Sequence, residues 1–482
     1  MIWRWIERHA QHTPEAPALR FEGRCHSYAD LAREIAAAAA ALAARGVRRG
    51  DRVAFLGLNH PSQLVLLFAC ARLGAIQAPL NWRLAPPEIG YILQDAGATA
   101  VFATRDMAAL AWQAAPPGCA VLDAEAPWPA ADPPAPEGGE ADPVLLVYTS
   151  GTTGRPKGAV LDQRALLFNA LNSLHMHGLT AADRVLTVLP MFHVGGLNIQ
   201  TTPALLAGAE VLLHTRFDAG AFLAACAADR PTLSLLVPAV MGALVAHPGW
   251  AAADLSSLRA VGAGSSDVPL PLIAAFHARG IPVQQVYGAT ETGPIAIYQT
   301  RAEALAAPGS IGRPALHAEA RVVGPDGTPL PPGTEGEIEL RGPNVARGYW
   351  RGPEVRADGW FATGDVGRVD AAGRFWFTDR LKHVIISGGE NIYPAEVERL
   401  LRTAPGVVEC AVCGRPDPRW GEVPVAVVVP GPGFDAAAVL RHFEGRLARF
   451  KHPRAVVTVP AMPRTALGKV ELAALRAIAA RG

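Results

Sequence analysis

Eleven consecutive residues, Tyr148-Thr149-Ser150-Gly151-Thr152-Thr153-Gly154-Arg155-Pro156-Lys157-Gly158, gather the groups that a polyphosphate needs. Glycines let backbone N–H groups approach an anion closely, hydroxyls add donors, and a lysine adds charge. Thr149, Ser150, Gly151, Thr152, Thr153, Gly154 and Lys157 are therefore candidate phosphate ligands. The run is not a Walker loop: Pro156 stands where the second glycine of G-x-x-x-x-G-K-[ST] belongs, and Gly158 follows the lysine. A shorter stretch of such residues would read as a surface turn.

Further segments place a chemically active side chain among small residues. In chain order they are Pro190-Met191-Phe192-His193-Val194-Gly195-Gly196, Tyr287-Gly288-Ala289-Thr290-Glu291-Thr292-Gly293, Gly359-Trp360-Phe361-Ala362-Thr363-Gly364-Asp365, Asp379-Arg380-Leu381-Lys382 and Pro463-Arg464-Thr465-Ala466-Leu467-Gly468-Lys469. Each has a plain alternative when taken alone. Thr290-Glu291-Thr292 suits a helix N-cap, Gly364-Asp365 a solvated turn, and Lys469 an exposed lysine. Gly262-Ala263-Gly264 does not continue as G-x-G-x-x-G, because Asp267 takes the last place, and this disfavours a dinucleotide fold.

In kind and order these segments resemble those of the adenylate-forming (AMP-binding) superfamily of acyl-CoA synthetases, adenylation domains and beetle luciferases, over nearly the whole chain. The resemblance implies attack of a carboxylate on the α-phosphorus of ATP, release of pyrophosphate, and transfer of the acyl group to coenzyme A. Charge builds on the phosphate in the first step, so positioned donors and a metal are needed there rather than a covalent nucleophile. Tyr287, Gly288 and Ala289 would let adenine lie close, Thr290 would donate to the α-phosphate, and Glu291 would hold Mg²⁺ as a hard oxygen ligand. Asp365 and Arg380 are similar to the family residues that touch the ribose, and Gly262, Ala263 and Gly264 would wall the adenine and acyl sites. Lys469 would bridge the carboxylate and the α-phosphate. Lys382 occupies the place of a hinge about which a C-terminal domain turns between the two steps, and Ser387, Gly388, Gly389 and Glu390 would line the channel for coenzyme A. Two departures stand out: Asp162-Gln163-Arg164 where many relatives carry a histidine, and Glu471-Leu472 in place of a basic ending.

The elements that must position these residues read as α/β winding, short Val/Leu/Ile runs alternating with Ala-rich helical stretches. Ser27-Tyr28-Ala29-Asp30 opens a helix to Arg45, residues 51–56 read as a strand, 62–73 as a helix, 101–103 as a strand, and 144–147 as the strand before the phosphate loop. Residues 115–143, crowded with proline and glycine, read as an irregular connection. The implied fold is a large N-terminal domain, residues 1–380, with two helix-covered sheets and a small barrel-like part, and a small mobile α+β domain, residues 381–482.

Half of the 482 residues are hydrophobic and 18% are charged, which fits globular domains and argues against wholesale disorder. With 44 basic and 43 acidic residues, no global field favours nucleic acid or an anionic membrane. Charges interrupt the apolar residues at the N-terminus, so a cytoplasmic enzyme without membrane insertion is expected. Cys410 and Cys413 form a C-x-x-C, but in a strand they point to opposite faces, so buried thiols are expected rather than a metal site. A homodimer is the one assembly carried as an option.

The candidate acyl wall, His193, Val237, Pro238, Gly262, Ala263, Gly264, Gly288, Pro294 and Ile295, is mostly small and apolar. It suits an uncharged aliphatic or aromatic tail over a dicarboxylate. His193 would gate or orient the substrate, or simply pack on that wall. The chain ends at Gly482, soon after Lys469, which disfavours an attached carrier domain. A stand-alone enzyme that loads a separate carrier, luciferase-like oxidation, and a non-catalytic nucleotide-binding protein of the same fold remain as alternatives.

Overall fold

Ser27 and Asp30 cap each other: the Asp30 N–H donates to Ser27 Oγ at 3.1 Å, and the Ser27 N–H donates to the Asp30 carboxylate at 3.0 Å. This reciprocal cap starts the helix Tyr28–Ala44 as expected. The helix Pro61–Leu73 is apolar on nearly every face and is buried throughout except at Arg72, and a left-handed Gly74 ends it. These elements belong to a computed structural model that describes residues 1–149, 156–264, 268–352, 359–387, 390–418, 420–444, 446–447, 449–465 and 468–481; for Lys382, Ile386, Glu390 and Asn391 only the backbone is described.

Contacts divide the chain into two compact units. One comprises Met1–Ala320, Glu339–Phe361 and Gly373–Phe375; the other Arg321–Ile338, Ala362–Ala372 and Trp376–Gly482. Residue 380 thus falls inside the second unit, because the residues of the small β-part cluster with the C-terminal segment.

Among the described residues the first unit holds two large sheets. A seven-stranded sheet has parallel strands Pro143–Thr149, Ile76–Leu80, Arg52–Leu56, Ala98–Ala103 and Ala120–Asp123, with Lys157–Asp162 and Gly348–Tyr349 added antiparallel at one edge. A nine-stranded sheet has a parallel centre, Val283–Tyr287, Ala260–Ala263, Leu233–Leu236, Arg184–Thr187, Glu210–Leu213 and Pro17–Phe21, and antiparallel strands at both ends. Burial on both faces explains why the parallel strands read as continuous apolar runs. The strand Ala120–Asp123 corrects the reading of residues 115–143 as wholly irregular: Val121 and Leu122 pair beside Val101 and Phe102 despite the surrounding prolines.

A four-stranded sheet orders Glu319–Val323, Gly336–Arg341, Phe361–Val369 and Phe375–Arg380, and most of its residues belong to the second unit. In that unit a five-stranded sheet is built on the hairpin Val407–Asp417 and Gly421–Pro430 and carries the helices Pro394–Leu401 and Leu472–Ala479. Cys410 and Cys413 pack into different apolar clusters of this unit, and burial pushes their thiols up to about 12 and about 11. Among the described residues no helix is long and apolar enough to cross a membrane.

Candidate active site

The strand Val283–Tyr287 lies parallel to Ala260–Ala263 and delivers the chain into a single 3-10 turn, Thr290–Thr292. Two glycines are required here by close backbone approach. A Cβ on Gly288 would sit 1.9 Å from the Pro294 carbonyl oxygen, and one on Gly264 would sit 2.5 Å from that of Val286. Three buried asparagines then hold the returning chain. Asn344 donates to the Thr292 carbonyl at 2.6 Å, Asn169 accepts from the Ile295 N–H at 3.0 Å, and Asn172 donates to the Ile295 carbonyl at 3.2 Å. Thr292 closes the turn by accepting from the Ala289 N–H at 2.8 Å.

Glu291 projects from this turn, and its Oε1 accepts a hydrogen bond from the Tyr349 hydroxyl at 2.7 Å. Burial first, and the Glu291 contact second, push the Tyr349 hydroxyl above its ordinary range, so it remains a proton donor. Tyr349 pairs with Ala159 on the strand that begins at Lys157, and the Lys157 ammonium lies 5.8 Å from the Tyr349 ring centroid. Thr149 and Lys157 face each other at the mouth of the hairpin. The structure therefore brings Lys157, the lysine of the expected phosphate loop, beside Tyr349, which in turn holds Glu291. Tyr349 carried no local spacing signal; it becomes visible only through strand pairing.

Asp162 explains one departure from the family pattern: its carboxylate accepts from the Ala165 N–H at 2.7 Å, capping the helix Gln163–His177, and pairs with Arg347 at 3.0 Å. Along the expected acyl wall, His193 begins the helix Val194–Asn198 with its ring against Phe192, and Val237 and Pro238 begin the helix Pro238–Val245. Gly262 and Ala263 are buried on their strand, and Pro294 and Ile295 are buried after the turn.

In the second unit, Asp365 is 5% exposed and pairs with Arg380, Nε to Oδ1 at 2.6 Å, so the two expected ribose contacts are neighbours. Asp379 accepts from the Ala395 N–H at 2.8 Å at the start of the helix Pro394–Leu401, tying it to the residue three before the expected hinge. The backbone of Lys382 forms a short 3-10 turn, Leu381–His383, and Ser387 ends the strand Ile385–Ser387. Lys469 is exposed where a loop is closed by the Thr465 N–H donating to the Lys469 carbonyl at 2.8 Å. Ser150, Gly151, Thr152, Thr153, Gly154, Gly388 and Gly389 lie outside the described residues, as do the side chains of Lys382 and Glu390.

Gly288→Ala is expected to destabilise the first unit by roughly 1–3 kcal/mol, because the added methyl meets a backbone carbonyl that cannot yield easily. Chemical denaturation checks this; a midpoint equal to that of the unsubstituted protein would show that the turn relaxes at no cost.

Comparison with known proteins places this geometry. Residues 6–350 match the AMP-binding enzyme model, and residues 396–469 match the AMP-binding enzyme C-terminal domain. The chain is 50% identical to an indoleacetate–CoA ligase of Aromatoleum aromaticum, over 99% of this chain and 98% of that protein. It is 46% identical to a feruloyl-CoA synthase of Amycolatopsis, over 97% and 96%. It also resembles the o-succinylbenzoate CoA synthetase of Bacillus subtilis solved with its acyl-adenylate intermediate, with a TM-score of 0.89 and 32% identity over 98% of this chain and 97% of that one. The same synthetase with ATP and magnesium ion gives 0.89 and 31%, over 98% of each chain. The chain thus belongs to the AMP-binding enzyme family.

Proposed function

We propose that the chain is an ATP-dependent, AMP-forming acid–CoA ligase whose substrate is an aromatic carboxylic acid. The observation that carries the proposal is the Glu291 carboxylate, fixed by Tyr349 beside the Lys157 end of the phosphate loop. The indoleacetate and ferulate relatives support the aromatic class, as does the small, uncharged wall around Gly262 and Gly288. The proposal keeps residues 1–380 and 381–482 as the moving parts. It sets the enzyme in the cytoplasm, in keeping with its free cysteines, as a monomer or homodimer.

A carboxylate oxygen attacks the α-phosphorus, the bond from that phosphorus to the bridging oxygen breaks, and pyrophosphate leaves with its electrons. Thr290 and the phosphate-loop donors hold the phosphate, Asp365 and Arg380 the ribose, and Lys469 meets the charge shared by carboxylate and α-phosphate. In the second step the sulfur of coenzyme A attacks the acyl carbon, the carbon–oxygen bond to AMP breaks, and AMP leaves. Mg²⁺ keeps several waters and binds through one or two carboxylates plus substrate phosphates. Glu291 fits that demand, because Oε1 is held by Tyr349 and Oε2 has no hydrogen bond among the described residues. When bound there the ion would neutralise phosphate charge.

Lys469→Ala should slow adenylate formation about a hundred- to a thousandfold while sparing conversion of supplied acyl-AMP to thioester; equal loss of both would sink the role. Lys382→Pro fixes φ at the hinge, so single-turnover kinetics should show thioester formation slowed much more than adenylation, whereas parallel slowing would place the hinge elsewhere. Tyr349→Phe should raise the Mg²⁺ concentration for half-maximal adenylation about 10- to 100-fold, with KM for the acid little changed. An unaltered Mg²⁺ titration would mean that Tyr349 does not position Glu291.

A further inference from the structure

Behind Gly262 lies a buried polar chain that neither step above uses. A Cβ on Gly262 would meet the Gln200 amide at 3.3 Å and the His177 ring at 3.4 Å. The orientations in this chain follow from its ends. Gln284 Nε2 lies 2.6 Å from the Met176 carbonyl and 3.1 Å from the Gln299 carbonyl, both acceptors, so this nitrogen donates and Gln284 Oε1 must accept. It accepts at 3.0 Å from His177 Nδ1, which therefore carries the ring proton. Burial holds the His177 pKa down to about 4, so the ring is neutral and its Nε2 is an acceptor. Gln200 consequently turns its NH₂ to that nitrogen at 3.3 Å.

What remains is Gln200 Oε1, buried in a residue 2% exposed and without a hydrogen-bond partner among the described residues. It belongs to a small cavity lined by Leu186, Thr187, Leu189, Gly196, Gln200 and Leu235. Thr187 and Thr201 satisfy each other at 2.8 Å, and Thr201 donates to the Gly196 carbonyl at 2.7 Å, so the hydroxyls nearby are already engaged. Gly196 closes the segment that carries His193, and Gly262, beside Gln200, belongs to the expected acyl wall. A bare acceptor in such a place is costly unless a donor arrives.

We propose that Gln200 is a specificity-determining residue: its carbonyl oxygen accepts a hydrogen bond from an N–H or O–H group on the far end of the acyl substrate, selecting aromatic acids that carry one donor. This rests on the acid-activating function proposed above and deepens it. An acid lacking the donor leaves the oxygen unpaired, so discrimination of about 10- to 100-fold is expected, the scale of one unmade buried hydrogen bond.

The test compares indole-3-acetate with benzothiophene-3-acetate, which replaces the ring N–H by sulfur, by acid-dependent AMP formation. The unsubstituted enzyme should favour the indole in kcat/KM by about 10- to 100-fold, and Gln200→Met should bring the ratio to about one while keeping activity on the sulfur analogue. That retained activity reports folding. Should Gln200→Met not fold, the ratio for the unsubstituted enzyme still decides. Equal use of both acids by that enzyme, meaning that the cavity holds only water, overturns the proposal, and so does a preference that survives Gln200→Met. If neither acid drives AMP formation, this proposal is overturned, and AMP formation with a panel of other aromatic acids decides the acid-activating function separately.

Discussion

Main-chain polar groups that leave a sheet and stay buried must find partners, and here amide side chains supply them. Asn169 and Asn172, one turn apart on the helix Gln163–His177, and Asn344, after the strand Gly336–Arg341, hold the chain between Thr292 and Ile295. A buried N–H or C=O left unpaired costs about 1–3 kcal/mol, so the three amides fix this path. Gly288 and Gly264 complete the constraint, because neither backbone approach tolerates a side chain. Everything proposed for Thr290 and Glu291 depends on that fixed turn.

The same turn sets the electrostatics. Glu291 could swing freely from a short 3-10 segment, but the Tyr349 hydroxyl ties one oxygen and leaves the other for the proposed cation. Tyr349 owes its place to pairing with the strand Lys157–Asp162, which pairs in turn with Pro143–Thr149. Glu291, the proposed metal ligand, and Lys157, the proposed phosphate lysine, are therefore positioned by one stretch of strand pairing rather than independently. Asp365 and Arg380 show a similar economy in the second unit, where the arginine neutralises a buried carboxylate between adjacent strands.

The sequence made the family legible, and with it the candidate reactive residues, because small and charged residues at fixed spacing have few other uses when they recur in family order. It made the early elements legible through caps and apolar runs, as with Ser27 and Asp30. Tyr349, the three asparagines and the Gln200–His177–Gln284 chain were not legible, since each gains its meaning from a partner far along the chain. An isolated Asn or Gln in a helix or strand looks like any polar residue until its neighbours are known. The strand Ala120–Asp123 was hidden by its surroundings: composition across a proline-rich window outweighed a three-residue apolar signal that needed Ala98–Ala103 as a template.

The central claim, that the carboxylate itself attacks the α-phosphorus, is tested most directly with an acid labelled with ¹⁸O in both carboxyl oxygens, incubated with ATP, Mg²⁺ and coenzyme A. Attack at that phosphorus leaves one labelled oxygen in the bridge of acyl-AMP and, after thiol displacement, in the AMP, so mass spectrometry should find one ¹⁸O per AMP and none in pyrophosphate. Label in orthophosphate with ADP as the nucleotide product would contradict the account, because the acid would then have been activated at the γ-phosphorus.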